Sequence, residues 1–382
     1  MTEHIHNERG LALLVSIMAI IVVGGLLVGT VTAARLENRQ AHNTGEMAQA
    51  FAVTELGLAE TMANWYAGNW NAMDVMEELP ISGSAPQGAG SYSGNVRRLS
   101  QELFFLDVTG TSARAGSRQR LGTFVKLRPF TLDVQASFTS RGQVIRTGNQ
   151  AKIDGNESPP AGWVCVGDEP KAAVRIPVAD ATLAAQLGCP SGDCILGQPD
   201  PIEVDPSIDD EDTFFGFGDV DWDLLTAMAN KRGFTLNNPH VEPSFNGDGS
   251  CNFGDVNNWG DPKNPGSTCG GFFPIIYAPG DLSINVHEGQ GILLVEGDLT
   301  VNGTFEFYGI VIVKGSFNTA GGGTGIHFHG AVMAANVDSP TNSITGNAEI
   351  LYSSCAVSRA QAAAGIGARL RSRGWLQLFS TS

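Results

Sequence analysis

Charge is what the start of this chain lacks. From Leu11 to Ala34 there is no Asp, Glu, Lys or Arg. At about 1.5 Å per residue a helix over that run spans roughly 36 Å, enough to cross a bilayer core of about 30 Å. Basic residues are scarce throughout: 23 Lys and Arg stand against 39 Asp and Glu, a formal net charge of −16. That balance excludes nucleic acid as a partner, because little would neutralise its phosphates. Cysteine is missing from the first third; the six are Cys165, Cys189, Cys194, Cys251, Cys269 and Cys355. Gly-x-Ser-x-Gly, His-Glu-x-x-His and a phosphate loop are all missing too, so no residue is put forward as catalytic and the expectation is a non-enzyme. With 48 glycines and only 16% charged residues, the composition fits a turn-rich β head.

The uncharged run does not end in a small-residue signal-peptidase site but flows into a polar stretch that still reads as helix, which argues against a secretory signal. Past Arg35, the residues Met47, Phe51, Thr54, Leu58, Met62 and Trp65 recur at helical spacing, with Glu37, Glu46, Glu55 and Glu60 off the stripe. The pattern predicts a helix ending near Gly68, its stripe packed on the protein's own head. Arg9 precedes the run while Arg35 and Arg39 follow it, so positive-inside counting gives no N-in orientation.

The C-terminal half repeats. IIYAPGDLSIN from 275 is echoed by ILLVEGDLTVN from 292, then by runs beginning at Ile310, Ala331 and Ile350; the starts lie 17, 18, 21 and 19 residues apart. A period near 20 built of β-branched runs predicts stacked parallel strands, read as a short right-handed β-solenoid. Thr147 to Ile153 echo Thr345 to Ile350, so the stack is expected to start near Val144, with residues 160–272 inserted as an excursion. The apolar segment Trp375 to Phe379 is a candidate end cap.

An even number of cysteines confined to the head fits disulfides made in an oxidising compartment. Proximity suggests Cys189–Cys194 and Cys251–Cys269, leaving Cys165–Cys355; zinc is the rival reading. SFNGDGSCNFGD at 244–255 can be set against a twelve-residue calcium loop. Asn246, Asp248, Ser250, Asn252 and Asp255 then fall at ligand positions and Gly249 at the sharp turn. Against it, Ser244 stands at the first position, and an Asn/Gly/Asp turn stapled by Cys251 is the plainer reading. The acidic run 203–212 (EVDPSIDDED) reads as a solvated loop. His327 and His329 flank Phe328 and share a strand face, with His287 in an earlier repeat; a solvent-facing pair is preferred to a metal site. Asp281, Asp298 and Ser316 recur at one repeat position, as a structural turn requires.

Three segments carry a family resemblance: Glu8-Arg9-Gly10-Leu11-Ala12-Leu13-Leu14-Val15, then Ala50-Phe51-Ala52-Val53-Thr54-Glu55-Leu56-Gly57-Leu58, and more weakly a hairpin from Leu106 to Leu127. They resemble type IV pilins, and within that superfamily the PilX-type minor pilins (pilus assembly proteins). The resemblance implies cleavage by prepilin peptidase between Gly10 and Leu11, methylation of the new amine, and assembly with other pilins by the pilus machinery. The family's usual glutamate is Val15 here, a departure shared by some tip subunits.

The fold class expected is therefore α+β: a long N-terminal pilin-like helix carrying a β-rich head that ends in a short parallel β-solenoid. The divisions are 1–10 leader, 11–68 helix with a transmembrane half 11–34, 69–140 hairpin-containing region, 141–273 disulfide-bearing insertion, 274–358 repeats and 359–382 cap. The expected function is a tip- or initiator-like minor pilin. It would be a single-pass inner-membrane precursor with a periplasmic head, and later part of an extracellular pilus. It would take no certain cofactor beyond a candidate calcium ion, and it would adhere to a surface ligand if it adheres at all. The alternatives are a type II secretion minor pseudopilin, a membrane-anchored adhesin or carbohydrate-binding solenoid, and, least favoured, an anchored glycan enzyme.

Overall fold

The computed structural model describes residues 9–65, 70–73, 75–100, 102–114, 116–128, 130–148, 150–178, 192–232, 241–337, 341–370 and 376–377. Its first element is one helix, α1 (Arg9–Ala63), of 55 residues. No proline interrupts it; a helix-interior glycine costs only about 1 kcal/mol.

The last third of α1 lies on an antiparallel sheet of β1 (Glu78–Ser84), β2 (Gly90–Arg98), β3 (Leu103–Ser112) and β4 (Arg118–Arg128). β3 alternates strictly, burying Phe104, Leu106 and Val108 against Val53 and Leu58 of the helix. Gly57 permits the close approach: a Cβ there would stand 2.7 Å from the Tyr92 ring, whose hydroxyl donates to Glu60 Oε2 at 2.6 Å. The buried stripe runs through Ala50, Val53, Thr54, Leu58, Thr61 and Trp65, and Met47 lies outside it, exposed. The helix stops at Ala63 rather than near Gly68, which lies outside the described residues. The chain turns at Asn64–Trp65 so that the indole meets Phe104 edge-on at 5.2 Å and donates to Asn71 Oδ1 at 2.7 Å.

The second sheet has 11 strands. They are β5 (Ala136–Ser140), β6 (Gln143–Thr147), β7 (Lys152–Asp154), β8 (Ala172–Ile176), β9 (Ile195–Leu196), β10 (Ile202–Val204), β11 (Ile275–Ala278), β12 (Leu282–Val295), β13 (Leu299–Val313), β14 (Phe317–Ala334) and β15 (Thr341–Leu351). Every pairing described in it is parallel. The repeats set the register: Ile275, Ile292, Ile310 and Ala331 form one column across β11 to β14. Side chains alternate between an inner filling that includes Leu293, Val311 and Val332 and an outer layer that includes Ile292, Ile310 and Ala331. The outer layer is covered by the helices Trp222–Arg232 and Ser354–Ala363. Burial on both faces is why these strands read as unbroken apolar runs.

Two devices hold the turns in register. Asp281 Oδ1 accepts from the Asp298 N–H at 2.9 Å, and Asp298 Oδ1 from the Ser316 N–H at 2.7 Å, so each turn caps the next. At the corner, Gly291, Gly309 and Gly330 stack with φ of 121, 142 and 137°. A Cβ on Gly309 would strike the Gly291 carbonyl oxygen.

The structure departs from the expected solenoid in three ways. The sheet curls around its filling as a small parallel barrel, because β5 joins β14 to β8 and brings the strands before the insertion onto the repeats. The fifth repeat ends after Leu351 and continues into the helix Ser354–Ala363; Ile350 pairs with Phe328, while Phe138 takes the place beside Val332. The upstream echo does join the stack near Val144, as expected, and lies directly on its counterpart, Thr147 on Thr345 and Ile153 on Ile350. Of the expected cap Trp375 to Phe379, only Leu376–Gln377 (β17) is described, the rest lying outside the described residues; it pairs antiparallel with β4, as does β16 (Ile366–Arg369), so both join the first sheet. The β12 end is covered instead by the loop bridged by Cys251–Cys269. Its Trp259, fully buried, packs edge-on to Phe305 and Phe307, and its backbone accepts from the Gln290 N–H at 2.8 Å.

Candidate functional site

The two ends of α1 differ in surroundings. From Leu13 to Val31 the large apolar side chains are exposed, Val15 at 57%, and no described residue covers them. The helix is long and apolar enough to cross a membrane, an 18-residue stretch of it having mean hydropathy 2.6. Its few polar groups are satisfied within it: Ser16 donates to Leu13 O at 2.9 Å, Thr30 to Leu27 O at 3.0 Å and Thr32 to Val28 O at 2.8 Å. Such internal bonding is what a hydrocarbon surrounding demands; the uncharged run alone did not reveal it. Gly10 and Leu11 fall in the first turns of the same helix. Where the helix meets the head, Thr54 Oγ1 donates to Ala50 O at 2.7 Å and accepts from the Gly110 N–H at 3.1 Å, fixing helix to sheet.

The cysteines staple the head. Cys165 is bonded to Cys355, 190 residues apart in sequence, and Cys251 to Cys269. Cys194 is also disulfide-bonded, and Cys189 lies outside the described residues. The 244–255 loop is closed by its own hydrogen bonds. Asp248 Oδ1 accepts from the Ser250 N–H at 3.0 Å and its hydroxyl at 2.6 Å; Asn246 donates to Ser250 Oγ; Asn252 Oδ1 accepts from the Gly254 N–H, and Asp255 Oδ1 from the Asn257 N–H. These bonds hold Asp248 below the usual carboxylate range. The two carboxylates thus serve separate turns, and no cluster of three His, Cys, Asp or Glu able to hold a metal occurs among the described residues.

The acidic run is more engaged than a solvated loop. Arg175 pairs with Glu203 and Asp205, and Arg141 lies 3.7 Å from Glu211. Asp205 and Asp210 cap the turns that follow them, bonds that depress both carboxyls.

A row the repeats did not announce crosses the sheet surface: Glu288, Glu306, His327, Glu349 and Lys152 are successive register partners. Lys263 of the disulfide loop reaches Glu288 at 2.7 Å and Glu306 at 3.2 Å. His327 and His329 do share a face, their rings 6.4 Å apart. The expected solvent-facing pair fails at His329, which stacks on Tyr308 at 4.6 Å and whose pKa burial pushes down to about 4. His287 lies in β12, outside the residues whose side chains are described. Gln290 and Lys263 could have been singled out only by knowing that the loop folds over β12.

No family model matches the chain, and no curated protein matches it. Among solved structures it is similar to the crystal structure of the competence-associated pilin ComZ from Thermus thermophilus, at 12% identity over 87% of this chain and 98% of that one, with a TM-score of 0.24. At that score the backbones superpose too poorly for the likeness to support an argument.

Proposed function

We propose that this chain is a membrane-anchored minor subunit of the type IV pilin kind, PilX-like, whose exposed half-helix holds it in the inner membrane before it packs among other pilins. The observation that carries the reading is the continuity of α1: one unbroken helix is bare and apolar over its first half and sewn to an antiparallel sheet over its last third. The leader ending at Gly10, prepilin peptidase cleavage before Leu11 and the tip or priming place suggested by Val15 rest on the sequence resemblance. Adhesion, a non-enzymatic role and a secretion pseudopilus as the alternative assembly belong to the same proposal. So does calcium at the 244–255 loop, which would have to exchange the present turn bonds for its own.

The N-terminus decides the matter. Mass spectrometry of protein recovered from its native membrane or surface fraction should find N-methylated Leu11. An intact Met1 would defeat the pilin reading and leave a single-span anchor carrying a β head.

A further inference from the structure

Three elements meet beside the antiparallel sheet without filling the space between them: the segment at Met73 and Val75, the disulfide loop at Phe273, and the helix Ser354–Ala363. They leave a cleft of about 560 Å³, within the size range of small-molecule sites. Met73, Val75, Leu127 and Phe273 give it apolar walls, and two guanidinium groups, Arg98 and Arg359, line it with one acidic side chain among the described residues, Glu102. Glu102 is engaged by Lys126 at 3.2 Å.

Arg359 is the informative group. Its guanidinium lies 4.4 Å from the Trp163 ring centre and donates one hydrogen bond, to Val164 O at 3.3 Å. It makes no ion pair with any described residue, and burial lowers its pKa. It is also rigidly placed. Trp163 stacks on Tyr308 at 5.5 Å and donates to Pro262 O at 2.8 Å, while the Cys165–Cys355 disulfide anchors the same helix one turn earlier. Arg98 is held at the same cleft by bonds to the carbonyls of Asn71, Met73 and Ser100. A partly desolvated cation with no ion-pair partner among the described residues is an unfavourable arrangement until an anion arrives, and a planar guanidinium fork matches a carboxylate.

We propose that the cleft binds a small organic anion, a carboxylate carried on an apolar body, with the carboxylate on Arg359 in the field of Arg98 and the body against Met73, Val75, Leu127 and Phe273. The site stands apart from the pilin reading and survives its failure.

The test is calorimetric titration of the full chain in non-ionic micelles with N-acetylphenylalanine, its neutral amide, and inorganic phosphate. Saturable binding of the acid is expected, at least ten-fold weaker for the amide. Arg359→Gln should lose at least ten-fold with its thermal unfolding kept, Arg359→Lys should lose less, and Glu102→Gln should bind more tightly. Equal affinity for acid and amide, no saturable binding of the acid, phosphate binding without acid binding, or an acid affinity unchanged in Arg359→Gln would each overturn the proposal. If Arg359→Gln fails to fold, the acid-to-amide ratio and the Glu102→Gln shift still decide it.

Discussion

The two sheets solve the same problem by different means. The antiparallel sheet buries one face, against a helix, and β3 shows it as strict alternation of buried and half-buried positions. The parallel barrel buries both faces of its apolar runs at 275–278, 292–295 and 310–313, inside against its own filling and outside against helices. Its order comes from columns of like residues: isoleucine on isoleucine, glycine on glycine, and an aspartate that caps the turn above. In the first sheet, register is fixed by which side chains face inward. In the second, where both faces are apolar, it is fixed at corners and turns. The barrel therefore depends on small polar and conformational details more than the sheet beside α1 does.

Trp259→Ala should separate the two most sharply. It removes the largest side chain at the capped end of the barrel, and a loss of about 3–5 kcal/mol is expected. Hydrogen exchange should show β12 to β14 losing protection while β3 and β4 keep theirs. Equal loss in both would mean that one cooperative unit spans the two sheets.

Acid should act next, and on one side only. His329 titrates near 6.5 when unfolded and near 4 in the fold. The unfolded chain thus takes up the proton first on acidification, and the stability is fully present above about pH 6.5 and lost as pH falls toward 4. The loss amounts to up to about 3 kcal/mol. His329→Phe should flatten that slope in urea titrations at several pH values. The strands of the antiparallel sheet contain no histidine; a slope unchanged in the variant would place the acid sensitivity elsewhere.

The smallest effect contrasts a turn with a surface pair. Asp298→Ala removes the acceptor for the Ser316 N–H, worth about 1 kcal/mol, whereas Asp298→Asn keeps an oxygen there. Arg120→Ala breaks a half-exposed pair with Asp107 on the antiparallel sheet and should cost less than about 1 kcal/mol. Thermal unfolding of the three variants checks the order; Arg120→Ala as the most damaging would reverse the argument about what fixes each sheet.

Much of this was legible. The uncharged run, the helix face around Thr54 and Leu58, and the repeat starts at 275, 292, 310 and 331 are local or periodic signals, and the structure puts them in helix and columns. What stayed hidden is non-local. The place beside Val332 is taken by Phe138, the barrel end is stopped by Trp259 from a loop with no repeat character, and Leu376–Gln377, the described part of the segment that looked like a cap, pairs with β4. At the candidate sites, a shared strand face did place His327 and His329 together. It could not show that the Tyr308 ring of the neighbouring strand would stack on His329, because that depends on which strands pair and in what register.

The return of β16 and β17 to β4 has a consequence for how the molecule is made. At about 5–20 residues per second, β4 leaves the ribosome on the order of tens of seconds before the strands that will cover its edge. In that interval the chain presents an open strand to its neighbours, a template for mispairing. The segment that seals the first sheet is thus made only after the whole barrel, and a nascent chain interrupted anywhere in the barrel carries its defect at the foot of the helix.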